Sequence, residues 1–416
     1  MRIDPANPVP PTNVIRRYGK DQVPDHVPPE LVRSAGIIYG PEFLADPYAF
    51  FAGMHDKFPP VFYDVGPFGN AWVLTKHEDA LYALRHAEYF SNEDATPFPR
   101  DPSDWFYFIP IEIDPPDHRK YRNILDPVLS PQAVTKLEDR IRALANELID
   151  GFIEQGECDF DEAFGRPLPV YVFLDLMGLP RDMCSTFVEW AMTLLHSNDR
   201  DKMAAVLKTI GDYLQIQIDA KLANPDDGLI SRIVHAEFDG VRISERERYG
   251  FVVFLFIGGL DTVFATLNNI WVLLADRPDL REAMIADPDN INAQVEELLR
   301  VRSVTFSGRT VAQDVEINGV QMRKGDKVTS ILPACNFDPE VFPNPTEIDF
   351  SRPKKIILAF TVGIHSCMGA HLARLEIKVA LQEWLRRIPD FKLKPGTKVE
   401  YRPGGVIGPE NVPLVW

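Results

Sequence analysis

Apolar residues recur every three or four positions through much of the chain from about residue 131 onward. The segments AVTKLEDRIRALANELIDGFIEQ, DYLQIQIDAKLA and VALQEWLRRIP have this spacing, which is typical of amphipathic helices. Strand-like runs are short and lie mainly near the N-terminus, in PPVFYDV and AWVLTK, and in VEINGVQMRKGDKVTSIL. In the last of these, Asn318 and Gly319 predict a hairpin turn. The pattern therefore predicts a mainly α fold with a small β portion.

The most apolar stretch runs from Tyr249 to Ala275. Its length would suit a membrane helix, but Gly258, Gly259 and Asp261 interrupt it, which favours a long buried helix of a soluble protein. A buried carboxylate is costly unless it is paired, and each glycine costs about 1 kcal/mol relative to alanine inside a helix. We therefore weigh two interpretations equally, a helix opened locally for a ligand and a kinked helix in which the carboxylate is paired.

The composition is that of a globular protein. Of the 416 residues, 45% are hydrophobic and 25% charged, and the net charge of -17 argues against nucleic acid or an anionic membrane as a partner. Residues 1–30 are rich in proline, have no signal-peptide core, and are expected to form an arm on a single cytoplasmic domain that spans residues 1–416. The four cysteines include no CxxC pair, which is typical of a reducing compartment.

Cys367 lies in AFTVGIHSCMGAHLAR, just ahead of a helix predicted to begin near His371. The free N–H groups of a helix N-terminus favour a thiolate there, and Gly363 and Gly369 would let the backbone approach a flat, bulky group. His365 and Cys367 form an HxC pair, but no second pair completes a zinc site, so a bound metal would have the cysteine as its single protein ligand. The alternative is a buried structural cysteine in an ordinary loop.

Four motifs follow one another along the chain: GGLDTV, EELLR, DFSRP and FTVGIHSCMG. The ExxR pair within EELLR would by itself indicate only a solvated ion pair. In this order and at these separations, however, the set closely resembles the signature of the cytochrome P450 family. The resemblance covers most of the chain and is closest to the soluble bacterial camphor-hydroxylase family, through DPPDHRKYR, GVQMRKGD, EWLRRIPDF and PLVW. It implies a triangular helical prism that holds haem between a long central helix and the cysteine loop.

The resemblance implies haem b as the cofactor, with Cys367 as the thiolate ligand of its iron. Phe360, Gly363 and Gly369 would shape the loop around this ligand. Thr361 stands where the family usually has glycine, and threonine resists a positive φ. The haem propionates would bind side chains at four matching positions, His118, Arg122, Arg309 and His365.

Two further groups of residues receive roles from the resemblance. Glu297, Arg300 and Arg352 would form a structural triad behind the cysteine loop, where they hold the fold rather than act in catalysis. Asp261 and Thr262 would be the catalytic acid and alcohol that relay protons during oxygen activation.

The implied substrate pocket is apolar and partly aromatic. Its walls would be Phe98, Phe106, Phe254, Ile257, Gly258, Thr305, Phe306, Val406 and Ile407, and the alternative for each of them is ordinary core. Phe106 stands where the camphor hydroxylase has the tyrosine that binds the substrate ketone, and the alternation of side-chain directions argues against Tyr107 as its substitute. We therefore do not expect camphor, and such a cavity predicts a compact terpenoid or norisoprenoid.

The electron donor implied by the resemblance is a [2Fe-2S] ferredoxin with its NAD(P)H-dependent reductase. Arg119, Arg122, Lys354 and Lys355 would form its docking face, and a scattered solvated face is the alternative. The predicted activity is that of a monomeric haem-thiolate monooxygenase that inserts one oxygen atom of O2 into a C–H bond. A peroxide-driven peroxygenase, against which the acid–alcohol pair argues, and a non-catalytic haem-thiolate binding protein stay open as alternatives.

Overall fold

Helices make up most of the regular structure in the computed structural model, which describes residues 23–66, 69–96, 98, 106–197 and 199–416. Most of the predicted N-terminal arm, residues 1–22, lies outside the described residues. The helices are α1 (Pro41–Ala45), α2 (Pro47–Ala52), α3 (Met54–Lys57), α4 (His77–Arg85), α5 (His118–Leu129), α6 (Pro131–Thr135), α7 (Glu138–Asp150), α8 (Pro167–Met177), α9 (Cys184–His196), α10 (Arg200–Ala223), α11 (Leu229–Val234), α12 (Glu245–Gly259), α13 (Thr262–Asp276), α14 (Pro278–Ala286), α15 (Ile291–Val301), α16 (Leu332–Cys335) and α17 (Ala370–Arg387).

The strands are short and lie in small sheets. They are β1 (Val32–Arg33), β2 (Val61–Gly66), β3 (Gly69–Leu74), β4 (Phe90–Ser91), β5 (Glu157–Asp159), β6 (Glu237–Phe238), β7 (Val241–Arg242), β8 (Ser307–Val311), β9 (Val315–Ile317), β10 (Val320–Met322), β11 (Lys327–Ser330), β12 (Lys392–Leu393) and β13 (Pro413–Val415). The largest sheet has the order β1-β2-β3-β11-β8-β4 and mixes parallel with antiparallel pairs. A second sheet has the order β12-β13-β5, and β9-β10 and β6-β7 form two-stranded ribbons.

The β portion agrees with the alternating sequence pattern. The segments PPVFYDV and AWVLTK contribute β2 and β3, which pair antiparallel. Asn318 and Gly319 have φ values of 51° and 77° between the paired strands β9 and β10, as a two-residue hairpin turn requires. The predicted hairpin and the mainly α fold class are therefore confirmed.

Two large apolar clusters hold the helices together. Trp271 on α13 lies 4.5 Å from Phe160 and 5.7 Å from Trp384 on α17, measured between ring centroids. Phe256 and Ile257 on α12 belong to a second cluster, which also contains the buried side chains of α9. The central apolar segment thus contributes its first half to one cluster and its second half to the other, which places its midpoint deep inside the protein.

The central apolar segment is two helices rather than one. The first helix ends at Gly259 and the second begins at Thr262, so the chain leaves helical geometry at Leu260 and Asp261. By length and composition, Glu245–Asp276 could cross a membrane, but 67% of its most apolar window is buried inside the protein, as in the core helix of a soluble protein. A segment predicted as one long helix is therefore opened at the position of its two glycines.

Candidate active site

The cysteine loop connects the meandering chain after α16 to α17. Cys367 donates its backbone N–H to the carbonyl of Phe360 at 2.9 Å, which closes the loop, and α17 begins three residues later with Gly369 as its N-cap. The Cys367 side chain is surrounded by protein atoms and is nevertheless exposed, so its surface faces a cavity within the fold. The guanidinium carbon of Arg374 lies 4.5 Å from the ring centroid of Phe360 and holds the other side of the loop.

The N–H groups at the start of α17 favour a Cys367 thiolate as expected, but burial acts against it and is the larger effect. Burial raises the pKa of the Cys367 thiol, and the opposing effects of the Gly369 N–H, Arg122 and Arg374 are smaller. A coordinated metal deprotonates a thiol outright, so the surrounding N–H groups and cations would then stabilise the charge that the metal induces.

The loop backbone is left-handed at two positions. Gly363 has a φ of 79°, and a Cβ there would lie 2.6 Å from the carbonyl oxygen of Leu84, so only glycine allows this approach. Thr361, which stands in place of the usual glycine, adopts a φ of 54°. Its hydroxyl donates a hydrogen bond to the carbonyl of His365 at 3.0 Å, which compensates the unfavourable backbone angle within the loop. Gly369, by contrast, has no positive φ.

The two glycines of the central segment serve different purposes. A Cβ on Gly259 would lie 2.3 Å from the ring of Phe173, so this glycine allows α12 and α8 to pack closely. A Cβ on Gly258 would meet nothing within 4 Å, and this residue is exposed although it lies between buried segments. The neighbouring Ile257 is buried in the core. Open space therefore adjoins the end of α12, where the helix breaks.

Asp261 and Thr262 lie at this break. The Asp261 side chain is 1% exposed, and its Oδ2 lies 2.9 Å from Nε2 of His196, the last residue of α9. Its second oxygen, Oδ1, is buried without a hydrogen-bond partner among the described residues. Thr262 is the first residue of α13, and its hydroxyl donates to the carbonyl of Gly258 at 3.3 Å. The acid is thus both paired and placed where the helix opens, which combines the two interpretations of the sequence.

The four residues expected at the haem propionates are brought together by three different elements. His118 begins α5, and its ring lies 4.3 Å from the ring of His365 in the cysteine loop, between centroids. Nη1 of Arg122, one turn further along α5, donates to the carbonyl of Ser366 at 2.6 Å. Arg309 on β8 is 4% exposed; burial lowers the pKa of His365, and the charges of Arg309 and Arg122 lower it further.

This cluster contains two buried side-chain nitrogens that lack a partner within the described part of the chain. Nε2 of His118 and Nη2 of Arg309 are buried without a hydrogen-bond partner among the residues that the structure describes. Burial lowers the pKa of Arg309 to about 10, and burial, His365 and Arg122 lower the pKa of His118 to about 4. Nearby, Asp114 is 3.3 Å from Nε2 of His365. Since unpaired buried donors are costly, the cluster has the chemistry of a site for anionic groups such as the two carboxylates of haem.

The three residues predicted as a structural triad are in contact. Glu297 on α15 accepts hydrogen bonds from Nε and Nη2 of Arg300 at 2.9 and 2.7 Å. Nε of Arg352 lies 3.1 Å from the same carboxylate. The three side chains lie mostly out of solvent, and Arg300 also donates to the carbonyls of Asn336 and Pro345, which belong to the chain that leads to the cysteine loop.

Three of the predicted pocket residues, Phe98, Phe106 and Phe254, form an aromatic cluster around Phe108. The ring of Phe108 lies 5.3 Å from Phe98, 5.4 Å from Phe106 and 6.1 Å from Phe254, between centroids. Phe106 also contacts Tyr249 at 4.9 Å. The residues before Phe106 in the implied substrate-contact loop, Asp104 and Trp105, lie outside the described residues.

Four other predicted pocket residues, Thr305, Phe306, Val406 and Ile407, lie on two segments that meet through backbone pairing. Thr305 and Val406 form an isolated antiparallel bridge, and the ring of Phe306 lies 6.0 Å from Phe51. Ile407 is 0% exposed, and its N–H donates to the carbonyl of Val304, so this predicted wall residue belongs to the packed core and has no surface on a cavity. The ordinary-core alternative thus applies to Ile407.

The predicted docking residues differ in exposure. Arg119, Lys354 and Lys355 are exposed, and the two lysines line a surface groove of about 520 Å³ near α15. Arg122, to which the sequence assigned both a docking and a propionate role, is only partly accessible and points to the carbonyl of Ser366 in the cysteine loop. Its geometry favours the propionate role.

Sequence reasoning missed three residues of this site. Asp114 stands in the quoted DPPDHRKYR motif but received no role, Phe108 is the centre of the aromatic cluster, and His196 is the hydrogen-bond partner of Asp261. His196 is 65 residues from its partner, and no motif surrounds it, so no local signal could have identified it.

Comparisons with known proteins agree with this arrangement. The family model "Cytochrome P450" matches residues 176–410. The "Probable cytochrome P450 127A1" of Sinorhizobium fredii is 34% identical over 96% of this chain and 98% of its own length. The mycinamicin IV hydroxylase/epoxidase of Micromonospora griseorubida is 30% identical over 84% of this chain and 91% of its own. The crystal structure of CYP101C1 matches with a TM-score of 0.85 at 29% identity, over 95% of this chain and 100% of its own. The crystal structure of CYP101J2 matches with a TM-score of 0.82 at 30% identity, over 95% of this chain and 99% of its own.

Proposed function

This chain belongs to the cytochrome P450 family, and on that premise we propose that it hydroxylates a small apolar terpenoid or norisoprenoid with electrons from a [2Fe-2S] ferredoxin. The family assignment makes it a haem-thiolate monooxygenase that uses haem b and O2. The observation that carries the proposal is the accessible Cys367 thiol inside the fold, beside a cluster in which Nε2 of His118 and Nη2 of Arg309 are buried without a hydrogen-bond partner among the described residues.

Cys367 is the proposed protein ligand of the haem iron. When bound, haem b supplies the iron at which O2 is reduced, and a thiolate ligand pushes electron density toward the O–O bond. Two left-handed residues of the cysteine loop, Thr361 and Gly363, hold its backbone in place. Arg309 and, through its position beside the loop, Arg122 would neutralise the propionates, and His118 would hydrogen-bond to them. The support for this role is that Nε2 of His118 and Nη2 of Arg309 are buried without a partner among the described residues.

Asp261 and Thr262 are the proposed proton relay. The buried carboxylate has a free oxygen, Oδ1, and the threonine hydroxyl adjoins the open space beside Gly258. Such a placement lets a positioned acid supply protons to the reacting oxygen while bulk water stays excluded. The hydroxyl would hold the last proton of the relay in the correct position.

The proposed substrate class rests on the lining of the pocket. The rings of Phe98, Phe106 and Phe254 surround Phe108, and the guanidinium carbon of Arg246 lies 4.3 Å from the ring centroid of the neighbouring Tyr107. A cavity with such walls favours a compact hydrocarbon with few polar groups. The mycinamicin IV hydroxylase/epoxidase and the "Methyl-branched lipid omega-hydroxylase" of Mycobacterium tuberculosis show how widely substrates vary among relatives.

The proposed electron donor would dock on a small basic area of an otherwise acidic protein. Arg119, Lys354 and Lys355 are exposed on a chain with a net charge of -17, so an acidic ferredoxin would be attracted to these residues and repelled elsewhere. We further propose that the protein acts as a cytoplasmic monomer.

The first experiment is an absorption spectrum of the purified protein, reduced under carbon monoxide. A strongly red-shifted Soret band is expected if Cys367 ligates the iron as a thiolate, and Cys367→Ser serves as the control that should lose it. Titration with a panel of monoterpenoids and ionones then tests the substrate class, since a ligand that displaces water from the iron produces a low-to-high-spin shift. A normal haem content without the red-shifted band would contradict the ligand assignment.

A further inference from the structure

His196 is a partly buried residue that joins the active-site acid to the C-terminal part of the chain. Its Nε2 lies 2.9 Å from Oδ2 of Asp261, and its Nδ1 lies 3.0 Å from the carbonyl oxygen of Pro403. The side chain is 8% exposed. Both ring nitrogens are therefore engaged, one by a carboxylate and one by a backbone carbonyl.

These two contacts determine where the protons are. A carbonyl oxygen can only accept a hydrogen bond, so Nδ1 of His196 carries a proton. The contact between Nε2 and Oδ2 of Asp261 then requires one further proton, which lies on one atom or the other. The pair is either an imidazolium with a carboxylate or a neutral imidazole with a carboxylic acid. In both forms the two residues share a single mobile proton.

The loop 403–405 holds the imidazole in this position. Gly404 has a φ of 136°, and a Cβ there would lie 2.9 Å from Nδ1 of His196 and 2.4 Å from the carbonyl oxygen of Leu195. Gly405 donates its N–H to the same carbonyl at 3.1 Å. A glycine is therefore required where the loop packs on the end of α9, which fixes the imidazole against Asp261.

The charged groups around the pair come from two other segments. Arg402 acts electrostatically on Asp261, and its guanidinium is anchored on Met192 and on the carbonyl of Pro409. Asp161, Arg166 and Glu410 act on Arg402 in turn, and Arg166 is itself paired with Asp161. Arg402 is therefore the cation that faces the carboxylate of the pair.

We propose that His196 is a positioning residue that stores the proton which Asp261 delivers, and that it makes proton delivery dependent on pH. In this step the N–H bond at Nε2 breaks, an O–H bond forms at Oδ2 of Asp261, and the imidazole becomes neutral. After Asp261 has passed its proton on, a hydronium ion from solvent protonates Nε2 again and becomes water. The inference rests on the proposed relay role of Asp261.

The test measures how fast O2 reoxidises the dithionite-reduced holoenzyme, by stopped flow from about pH 6 to about pH 8.5, in H2O and in D2O. We expect wild-type reoxidation to slow as the pH rises and to be slower in D2O. His196→Gln keeps an N–H donor toward Asp261 but cannot store a proton, so its pH profile should be flat and its solvent isotope effect smaller. A His196→Gln protein with the wild-type profile would overturn the inference.

Asp261→Asn separates the inference from the function on which it rests. If Asp261→Asn keeps the wild-type pH profile and isotope effect, the relay role of Asp261 fails, and the role of His196 fails with it. If Asp261→Asn loses both and His196→Gln keeps both, only the inference about His196 fails.

A matched pair of glycine variants tests the position of the imidazole. Gly404→Ala should displace the ring and reproduce the flat pH profile of His196→Gln. Gly405→Ala should behave like wild type, because a Cβ on Gly405 would meet nothing within 4 Å. A folded Gly404→Ala protein with the wild-type profile would contradict the inferred position.

The proton positions can also be observed directly in the wild-type protein. In the diamagnetic reduced carbon monoxide complex with ¹⁵N-labelled histidine, the His196 signal is assigned by its absence in His196→Gln or His196→Asn. We expect Nδ1 to be protonated throughout the pH range. A neutral ring protonated at Nε2 and bare at Nδ1 would refute the shared proton, whatever the stability of the other variants.

Discussion

Replacing Glu297 by alanine should greatly destabilise the protein. The carboxylate is 6% exposed and accepts four hydrogen bonds, at 2.9 and 2.7 Å from Arg300, 3.1 Å from Arg352 and 3.1 Å from the N–H of Asp349. Arg300 is 1% exposed, so its guanidinium would remain buried with lost partners. Removing one partner of a buried ion pair costs about 3–5 kcal/mol, out of a total stability of about 5–15 kcal/mol.

Removing the Glu297 carboxylate should also disturb the cysteine loop. Arg300 donates to the carbonyl of Asn336 at 3.0 Å, and the side-chain oxygen of Asn336 accepts the N–H of Leu358 at 2.8 Å, just ahead of the cysteine loop. If Arg300 moves, this support of the loop moves with it. We therefore expect Glu297→Ala to lose haem as well as stability.

The assay compares the ratio of Soret to protein absorbance after purification and the midpoint of urea unfolding. Glu296→Ala is the matched control, because Glu296 forms a half-exposed pair with Arg374 whose loss should cost only about 0–1 kcal/mol. A Glu297→Ala protein that keeps full haem content and lies within about 1 kcal/mol of wild type would refute the reasoning.

Further outcomes are expected at four positions. Thr262→Ala should consume reductant but release peroxide, measured as hydrogen peroxide per NADH, because the relay loses its hydroxyl; tight coupling to product would contradict this. Gly363→Ala should lower stability in denaturant melts by about 1–3 kcal/mol, since its Cβ would lie 2.6 Å from a carbonyl oxygen at a positive φ. Burial raises the pKa of Glu383, but hydrogen bonds from neighbouring side chains outweigh burial and lower that pKa below 4.5. The contribution of Glu383 to the free energy of unfolding is therefore present above about pH 4.5 and lost as the pH falls, so Glu383→Gln should show less acid destabilisation than wild type in melts at several pH values. Lys354→Glu should slow reduction by an acidic ferredoxin at low salt, and kinetics unchanged there would remove Lys354 from the docking face.

The elements that were predicted correctly are those whose signal is local. Apolar residues at intervals of three or four are enough to predict α17, and this helix ends before Pro389 as expected. The turn at Asn318 and Gly319 depends only on residues that tolerate positive φ. The central segment was predicted as one helix because its apolar residues continue through the break, and hydropathy carries no information on whether the backbone remains helical.

Residues in short motifs were placed correctly relative to one another, and residues outside motifs were missed. Glu297, Arg300 and Arg352 meet as the resemblance implied. His196, however, joins Asp261 across 65 residues because α9 ends where α12 breaks, and that coincidence exists only in the folded chain. Ile407 was assigned to the pocket wall but lies in the core, because its apolar character is equally compatible with both places.

The sequence by itself determined the family, the position of the cysteine ahead of a helix, and the acid and alcohol beside two glycines, because these depend on residue types at short separations. Only the tertiary structure decided that the central helix opens, that burial outweighs the helix N-terminus in the pKa of Cys367, and that His196 lies within hydrogen-bond distance of Asp261. Solvation and hydrogen-bond partners arise from packing between distant segments, so the pattern along a single chain cannot specify them.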